Sequence, residues 1–299
     1  MINLGKELKY DKTKLINDYK EALKNEEFKQ FISKLKIDDE KLMKYTSSLE
    51  ESSNEYNNCL DCPGLKECKN KLMGHAYLPK IVNGNLSFSY KPCRYKVKND
   101  KKYSYLKNIK YYDLPKSYME AEWKSIDKRL VSRKETIKWL NDFINNPKSK
   151  GLYLSGNFGS GKTHLVVATF NELAKKNIKS AIIFWPEFLR NLKSSFNTDY
   201  EDKMDYIKNV DLLLIDDLGA EVTTPWSRDE ILCPILQYRM DNNLPVFITS
   251  NLNIENLEQH LSQTKDGVEI VKAKRIIERI KCLTEEIEMI SKNMRNDGD

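Results

Sequence analysis

Eight consecutive residues, Gly156, Asn157, Phe158, Gly159, Ser160, Gly161, Lys162 and Thr163, satisfy the pattern G-x-x-x-x-G-K-[ST], and nothing else in the chain restricts its fold as much. The pattern works only where a strand delivers it and a helix leaves it. Both are expected here: Leu152 to Ser155 is an apolar run of strand length, and Leu165, Val166, Phe170 and Leu173 recur at helical spacing. The glycines let successive N–H groups and the positive end of the helix converge on a β-phosphate. Lys162 would neutralise β and γ oxygens, and the Thr163 hydroxyl would ligate Mg²⁺.

Three more strand-like runs follow, Ala181 to Trp185, Asp211 to Ile215 and Pro245 to Ser250, each separated by enough residues for a crossover helix. The implied fold class is α/β, a parallel sheet covered by helices on both faces. Upstream, Ser132 and Glu135 have capping-box spacing before a helix whose Ile137, Leu140, Phe143 and Ile144 share a face, and Asn146 and Pro147 end it.

The run Leu212 to Ile215 ends in two carboxylates. Asp216 at the strand tip would hold Mg²⁺ through its water shell, and Asp217 could polarise an attacking water. An aspartate in the second place is shorter than glutamate, so slow hydrolysis is expected. Thr249, Ser250 and Asn251 close the next strand, where a sensor of the γ-phosphate would sit; the same residues would serve equally as a loop start. Arg275 and Arg279 stand four apart on one helical face, either in surface ion pairs or as an arginine finger offered to a neighbouring subunit.

The first 95 residues have a different character. Ile16, Tyr19 and Leu23, then Phe28, Phe31 and Leu35, then Leu42, Tyr45 and Leu49 predict two or three short helices. Asn83 and Gly84 before the alternating Leu86, Phe88 and Tyr90 predict a β-hairpin. Cys59, Cys62, Cys68 and Cys93 cluster in this segment, while Cys233 and Cys282 lie apart in helical stretches and read as packing residues. Four thiolates suffice for a tetrahedral structural Zn²⁺ site; free buried thiols are the alternative. Eight basic residues against one acid, Asp100, fill Lys91 to Lys110, either as a solvated linker or as a phosphate-touching stripe. The expected division is therefore 1–95, a basic linker over 96–115, and 116–299.

A net charge of +6 over 299 residues does not by itself point to nucleic acid. No apolar run approaches membrane-spanning length, and Lys6, Lys9, Lys12 and Lys14 interleave with Glu7 and Asp11 where a secretory signal would be apolar. A cytoplasmic address and no membrane partner are expected.

Taken in order, Gly156 to Thr163, Trp185 to Arg190, Leu214 to Glu221, Trp226 to Glu230, Ile235 to Met240, Thr249 to Asn251 and Ala273 to Arg279 resemble the primosomal DnaI family of bacterial replicative helicase loaders, DnaC-related AAA+ ATPases. The resemblance implies a P-loop AAA+ core preceded by a small helical, zinc-binding, helicase-interacting domain. It implies a nucleotide site of Gly156 to Thr163 with His164, Asp216 and Asp217 as the acidic pair, Asn251 as first sensor, and Arg275 as a finger in trans beside Arg279. Arg295 falls at the second sensor. The helix from Glu187 to Phe196, with Arg190 and Lys193, corresponds to a region that faces single-stranded DNA. The implied zinc ligands are Cys59, Cys62, Cys68 and Cys93, with His75 as the substitute for Cys68, because Leu78 stands where the family can place a histidine. Expected cofactors are ATP, Mg²⁺ and Zn²⁺; expected partners are the hexameric replicative helicase, single-stranded DNA and further copies of the chain. An AAA+ helper for another DNA client, such as a transposase, and a scaffold that binds ATP without hydrolysis remain open.

Overall fold

The structure is a computed structural model and describes residues 12–83, 85–127, 129–194, 200–265 and 267–294. The chain divides into two compact units, Met1–Ser104 and Tyr105–Asp299.

In the first unit, α1 (Lys12–Ala22), α2 (Glu26–Ser33), α3 (Asp39–Leu42) and α4 (Thr46–Leu60) surround Tyr19, Phe28, Phe31, Ile32, Leu42 and Leu49. These are largely the residues that helical spacing selects, although Ile16 stays exposed. Asn25 starts α2 by accepting from the N–H groups of Glu27 and Phe28, which have no intrahelical partner. The hairpin β1 (His75–Val82) and β2 (Asn85–Pro92) pairs Val82 with Asn85, a two-residue turn in which Asn83 has φ 52°; Gly84 lies outside the described residues. Phe88 and Leu86 pack onto the helical core.

The stretch expected as a linker carries regular structure instead. Helix α5 (Arg94–Lys102) begins at Cys93, and β3 (Ile109–Tyr112) joins the main sheet of the second unit. Lysine-rich composition hides both, because α5 exposes its charges and Lys110 lies over the Tyr206 ring at 3.6 Å.

The second unit continues with α6 (Lys134–Asn145), β4 (Gly151–Ser155), α7 (Lys162–Lys175), β5 (Ser180–Phe184), α8 (Trp185–Ser194), α9 (Tyr200–Asn209) and β6 (Leu212–Asp216). It is completed by α10 (Cys233–Asp241), β7 (Val246–Ser250), α11 (Ile254–Ser262), the short pair β8 (Gln263–Thr264) and β9 (Gly267–Val268), α12 (Ile270–Leu283) and β10 (Thr284–Glu288). Six strands form one parallel sheet in the order β10-β4-β7-β6-β5-β3. Every residue of β4, β6 and β7 is buried, as expected of strands covered on both faces. Tyr153, Ile183, Ile215 and Ile248 join a core with residues of α8 to α12. Phe247 points to the opposite face, where it meets Phe143 of α6 and Phe170 of α7, both at 5.0 Å.

The edge strands β3 and β10 are the two that sequence reading lacks. Both carry exposed charge inside the strand, Lys110 in β3 and Glu285, Glu286 and Glu288 in β10, because an edge is only partly buried and charge guards it against pairing. The expected capping box is also replaced: α6 starts without a side-chain cap, and the Ser132 hydroxyl bonds that of Ser291 at 3.0 Å. Cys233 packs against the core as expected, but Cys282 is exposed on α12.

Candidate nucleotide site

The carboxyl ends of β4, β6 and β7, adjacent in the sheet, deliver the glycine-rich loop, the acidic pair and the polar cluster into one cleft of about 880 Å³. Ligands of open α/β sheets bind at this end, where chain direction diverges between neighbouring strands. Two glycines are required by space as well as by backbone. Gly156 has φ 145° and a side chain there would meet the Met289 carbonyl; Gly161, at φ 88°, would meet the Arg133 guanidinium.

Lys162 is buried at the first turn of α7, where its ammonium donates to the carbonyls of Gly156 (2.8 Å) and Asn157 (3.0 Å) and to Asn251 Oδ1 (2.9 Å). Asn251 Nδ2 in turn donates to Asp217 Oδ1 at 2.8 Å. Asp217 adopts φ 59°, a left-handed conformation that aspartate tolerates at some cost, stabilised by its N–H on Thr249 Oγ1 at 3.0 Å. Asp216 Oδ1 accepts from Thr163 (2.7 Å) and Thr249 (2.6 Å). Burial pushes the Asp216 carboxyl up to about 6; the two hydroxyl bonds and Lys162 oppose that rise and Asp217 adds to it. The hydroxyl of Thr163 and the carboxylate of Asp216 form a hard-oxygen pair suited to Mg²⁺.

Phe158, Gly159, Gly161, Thr163 and His164 also line the cleft, whereas Gly156, Asn157 and Ser160 do not. Burial, and then the Arg133 charge, lower the pKa of His164. Asn157 holds the segment after β10, donating to Ser291 O (2.7 Å) and accepting from Ser291 N (3.0 Å). Met294 N donates to Gly159 O at 2.9 Å, and the Met294 side lines the cleft. Arg295 lies outside the described residues.

Arg275 is exposed on α12, and Arg279 Nε donates to Gln237 Oε1 at 2.7 Å; neither lines the cleft. Ile276, Ile277 and Ile280 of the same helix are buried. On α8, Arg190 pairs with Glu187 at 2.6 Å, and Lys193 lies over the Trp226 ring at 5.1 Å. These two bases, Trp226 and Lys265 border a second cavity of about 480 Å³.

Sequence reading missed three buried arginines, Arg133, Arg228 and Arg239. Arg228 pairs with Asp229 and Glu269, and Arg239 donates to the carbonyls of Ile207, Val210 and Pro245, among others. Apart from Asp229, next to Arg228, and Pro245, six residues from Arg239, these partners are remote in sequence, so no spacing announces them. Arg133, beside Gly161, is likewise announced by no motif.

In the first unit, Cys59, Cys62, Cys68 and Cys93 line one cavity of about 370 Å³, together with His75. Three sulfurs already accept N–H groups: Cys59 from Asn70 Nδ2 (3.3 Å), Cys68 from Gly74 N (3.3 Å) and Cys93 from Lys96 N (3.4 Å). Burial raises the Cys59 thiol. Among the described residues no group of three His, Cys, Asp or Glu side chains is already gathered into a metal-holding cluster. His75 Nδ1 is at 3.1 Å from Met73 O.

The family model of the bacterial DnaA ATPase domain matches residues 138–270. The replicative helicase loader DnaI of Bacillus subtilis (strain 168) is 35% identical over 268 residues, 87% of this chain and 86% of that protein. A crystal structure of DnaI matches at TM-score 0.56 and 41% identity, covering 63% of this chain and 98% of that one. The crystal structure of the DnaC helicase loader matches at TM-score 0.50 and 25% identity, over 60% of this chain and 100% of the other. The six-stranded parallel sheet with its flanking helices is thus the AAA+ fold of these loaders.

Proposed function

This chain belongs to the DnaI family of replicative helicase loaders, and from that premise we propose that it loads the hexameric replicative helicase during primosome assembly, switched by ATP in the cleft of its AAA+ unit. One observation carries the reading: Lys162, Asn251 and Asp217 form a continuous hydrogen-bonded chain beside the Thr163–Asp216 pair. A triphosphate draws the Lys162 ammonium from Asn251 onto phosphate oxygens. Asn251 keeps its bond to Asp217, so occupancy of the phosphate site is transmitted to the carboxylate that orients the attacking water. Thr163 and Asp216 would hold Mg²⁺, which supplies charge neutralisation at the β and γ oxygens. Because Asp217 is short and engaged by Asn251, hydrolysis is slow, as a timing switch requires.

Arg275 serves a neighbouring copy as an arginine finger: it is exposed and stands outside its own cleft, as a residue acting in trans must. Single-stranded DNA is met at α8, where Arg190, Lys193 and Lys265 supply charge and Trp226 a stacking surface. The first unit grips the helicase and carries Zn²⁺ on Cys59, Cys62, Cys68 and Cys93, with His75 as the alternative fourth ligand. The support is chemical: four thiols share one cavity and N–H bonds to sulfur stabilise thiolates as metal ligands, although among the described residues no three of them are already gathered around one point. Zinc would supply folding energy to a unit with a small core.

The test is association and loading with a purified hexameric replicative helicase on circular single-stranded DNA. The expected result is a complex with the helicase and ATP-dependent deposition of helicase on the circle. No association, or deposition that proceeds equally without this chain, refutes the proposal.

A further inference from the structure

We infer that Arg133 is a nucleotide-contacting residue whose guanidinium binds the α-phosphate end of the nucleotide, the part that ATP and ADP share; this rests on the nucleotide reading proposed above. Arg133 is 5% exposed and lines the cleft with Gly159, Gly161 and His164. Its Nη2 donates to the Ser160 carbonyl, while its Nε is buried without a partner. Among the described residues, two titratable groups act on it. Asp127 has both oxygens engaged by Arg129, at 3.0 and 3.2 Å, and His164 can add only like charge.

A buried cation without a paired anion is among the costliest arrangements a protein holds, and burial accordingly lowers the pKa of Arg133. Such a charge on the wall of a phosphate cleft is satisfied when an anion enters. Position decides which anion. Thr163, Asp216, Lys162, Asn251 and Asp217 are bonded to one another and mark the γ-phosphate end. Arg133 is bonded to none of them; its guanidinium abuts Gly161 and its charge is felt at His164, the residue after the Mg²⁺-holding Thr163. A planar guanidinium on the wall of the cleft, with no carboxylate of its own, offers directed N–H donors to a non-bridging phosphate oxygen once the side chain turns toward it.

The experiment uses the full chain with Arg133→Met and Arg133→Lys. Dissociation constants for ATP and ADP are measured by displacement of a fluorescent ATP analogue, and melting temperatures are taken without nucleotide. The methionine variant is expected to lose about ten- to a hundred-fold in affinity, equally for ATP and ADP, as for a hydrogen bond to a charged group. Lysine should restore part of the loss. Without nucleotide the methionine variant should melt no lower than wild type, since an uncompensated charge has been removed. A purely structural arginine gives the opposite pattern, a lower melting temperature with unchanged affinities, and that result or a methionine variant that fails to fold overturns the inference. A loss confined to ATP also overturns it, by placing Arg133 at the γ-phosphate. Wild-type protein that binds neither nucleotide refutes the function proposed above; wild-type binding matched by both variants refutes this inference alone.

Discussion

Replacing Asp216 by asparagine should make the nucleotide-free protein more stable while destroying its use of Mg²⁺ and ATP. The carboxyl is held at about 6 against an ordinary 3.8, a rise of about two pH units at about 1.4 kcal/mol each, or about 3 kcal/mol. A carboxyl whose folded pKa lies above its unfolded one binds its proton more tightly when folded, so the wild-type protein loses stability as pH climbs from about 4 to about 6 and is level beyond. Asparagine has no such dependence. Its Oδ1 can still accept from Thr163 and Thr249, which both bond a single oxygen of Asp216. The new amide N–H groups need acceptors, which subtracts up to about 1–2 kcal/mol. The net gain at pH 7 is about 1–3 kcal/mol, or about 2–12 °C for a unit of this size. Thermal melts of both proteins in EDTA without nucleotide, from pH 4 to 8, should show the variant level with wild type or up to about 1–2 kcal/mol below it at the acid end, and rising relative to wild type through pH 4–6. A variant less stable at pH 7, or a difference indifferent to pH, would refute the claim that Asp216 is held against its own desolvation.

Lys162→Ala should abolish ATP binding with the fold intact, since no neighbouring residue duplicates the ammonium at the loop; titration calorimetry showing unchanged affinity would remove the site assignment. Arg275→Ala should keep ATP binding but lose hydrolysis, on the order of 10³-fold in the strongest cases, and mixing it with Lys162→Ala should restore some activity by uniting an intact cleft with an intact arginine. No rescue in assemblies proven to be mixed would return Arg275 to a surface role. Metal analysis should find about one zinc per chain, and chelation should unfold Met1–Ser104 while Tyr105–Asp299 stays folded; less than about half a zinc per replete chain contradicts the cysteine site.

The central strands and the cleft were legible because each functional group sits where a buried apolar run ends, so a local pattern marks both the strand and its chemistry. Lys162, Thr163, Asp216, Asp217 and Asn251 come together as that pattern implies. What was illegible depends on distance in the chain. Ser132 has the spacing of a cap but bonds Ser291; Asn157 lies inside the nucleotide motif but holds the backbone of Ser291; Arg133 acquires its position only when α6 packs beside the loop. The strands β3 and β10 were hidden for another reason: a partly exposed edge carries charge, as at Lys110 and at the consecutive Glu285 and Glu286, and reads as polar chain.

The brace between Asn157 and Ser291 spans 134 positions. Ribosomal synthesis proceeds from the amino terminus, so the glycine-rich loop emerges long before the segment that fixes it. The sheet's inner strands can pair while that segment is still unmade, but the loop then lacks the Met289, Ser291 and Met294 backbone contacts that set its curvature. A nascent chain is therefore unable to hold nucleotide in the finished geometry until residues 289–294 have left the ribosome tunnel. The order of synthesis thus delays the switch until the whole sheet, including β10, is in place.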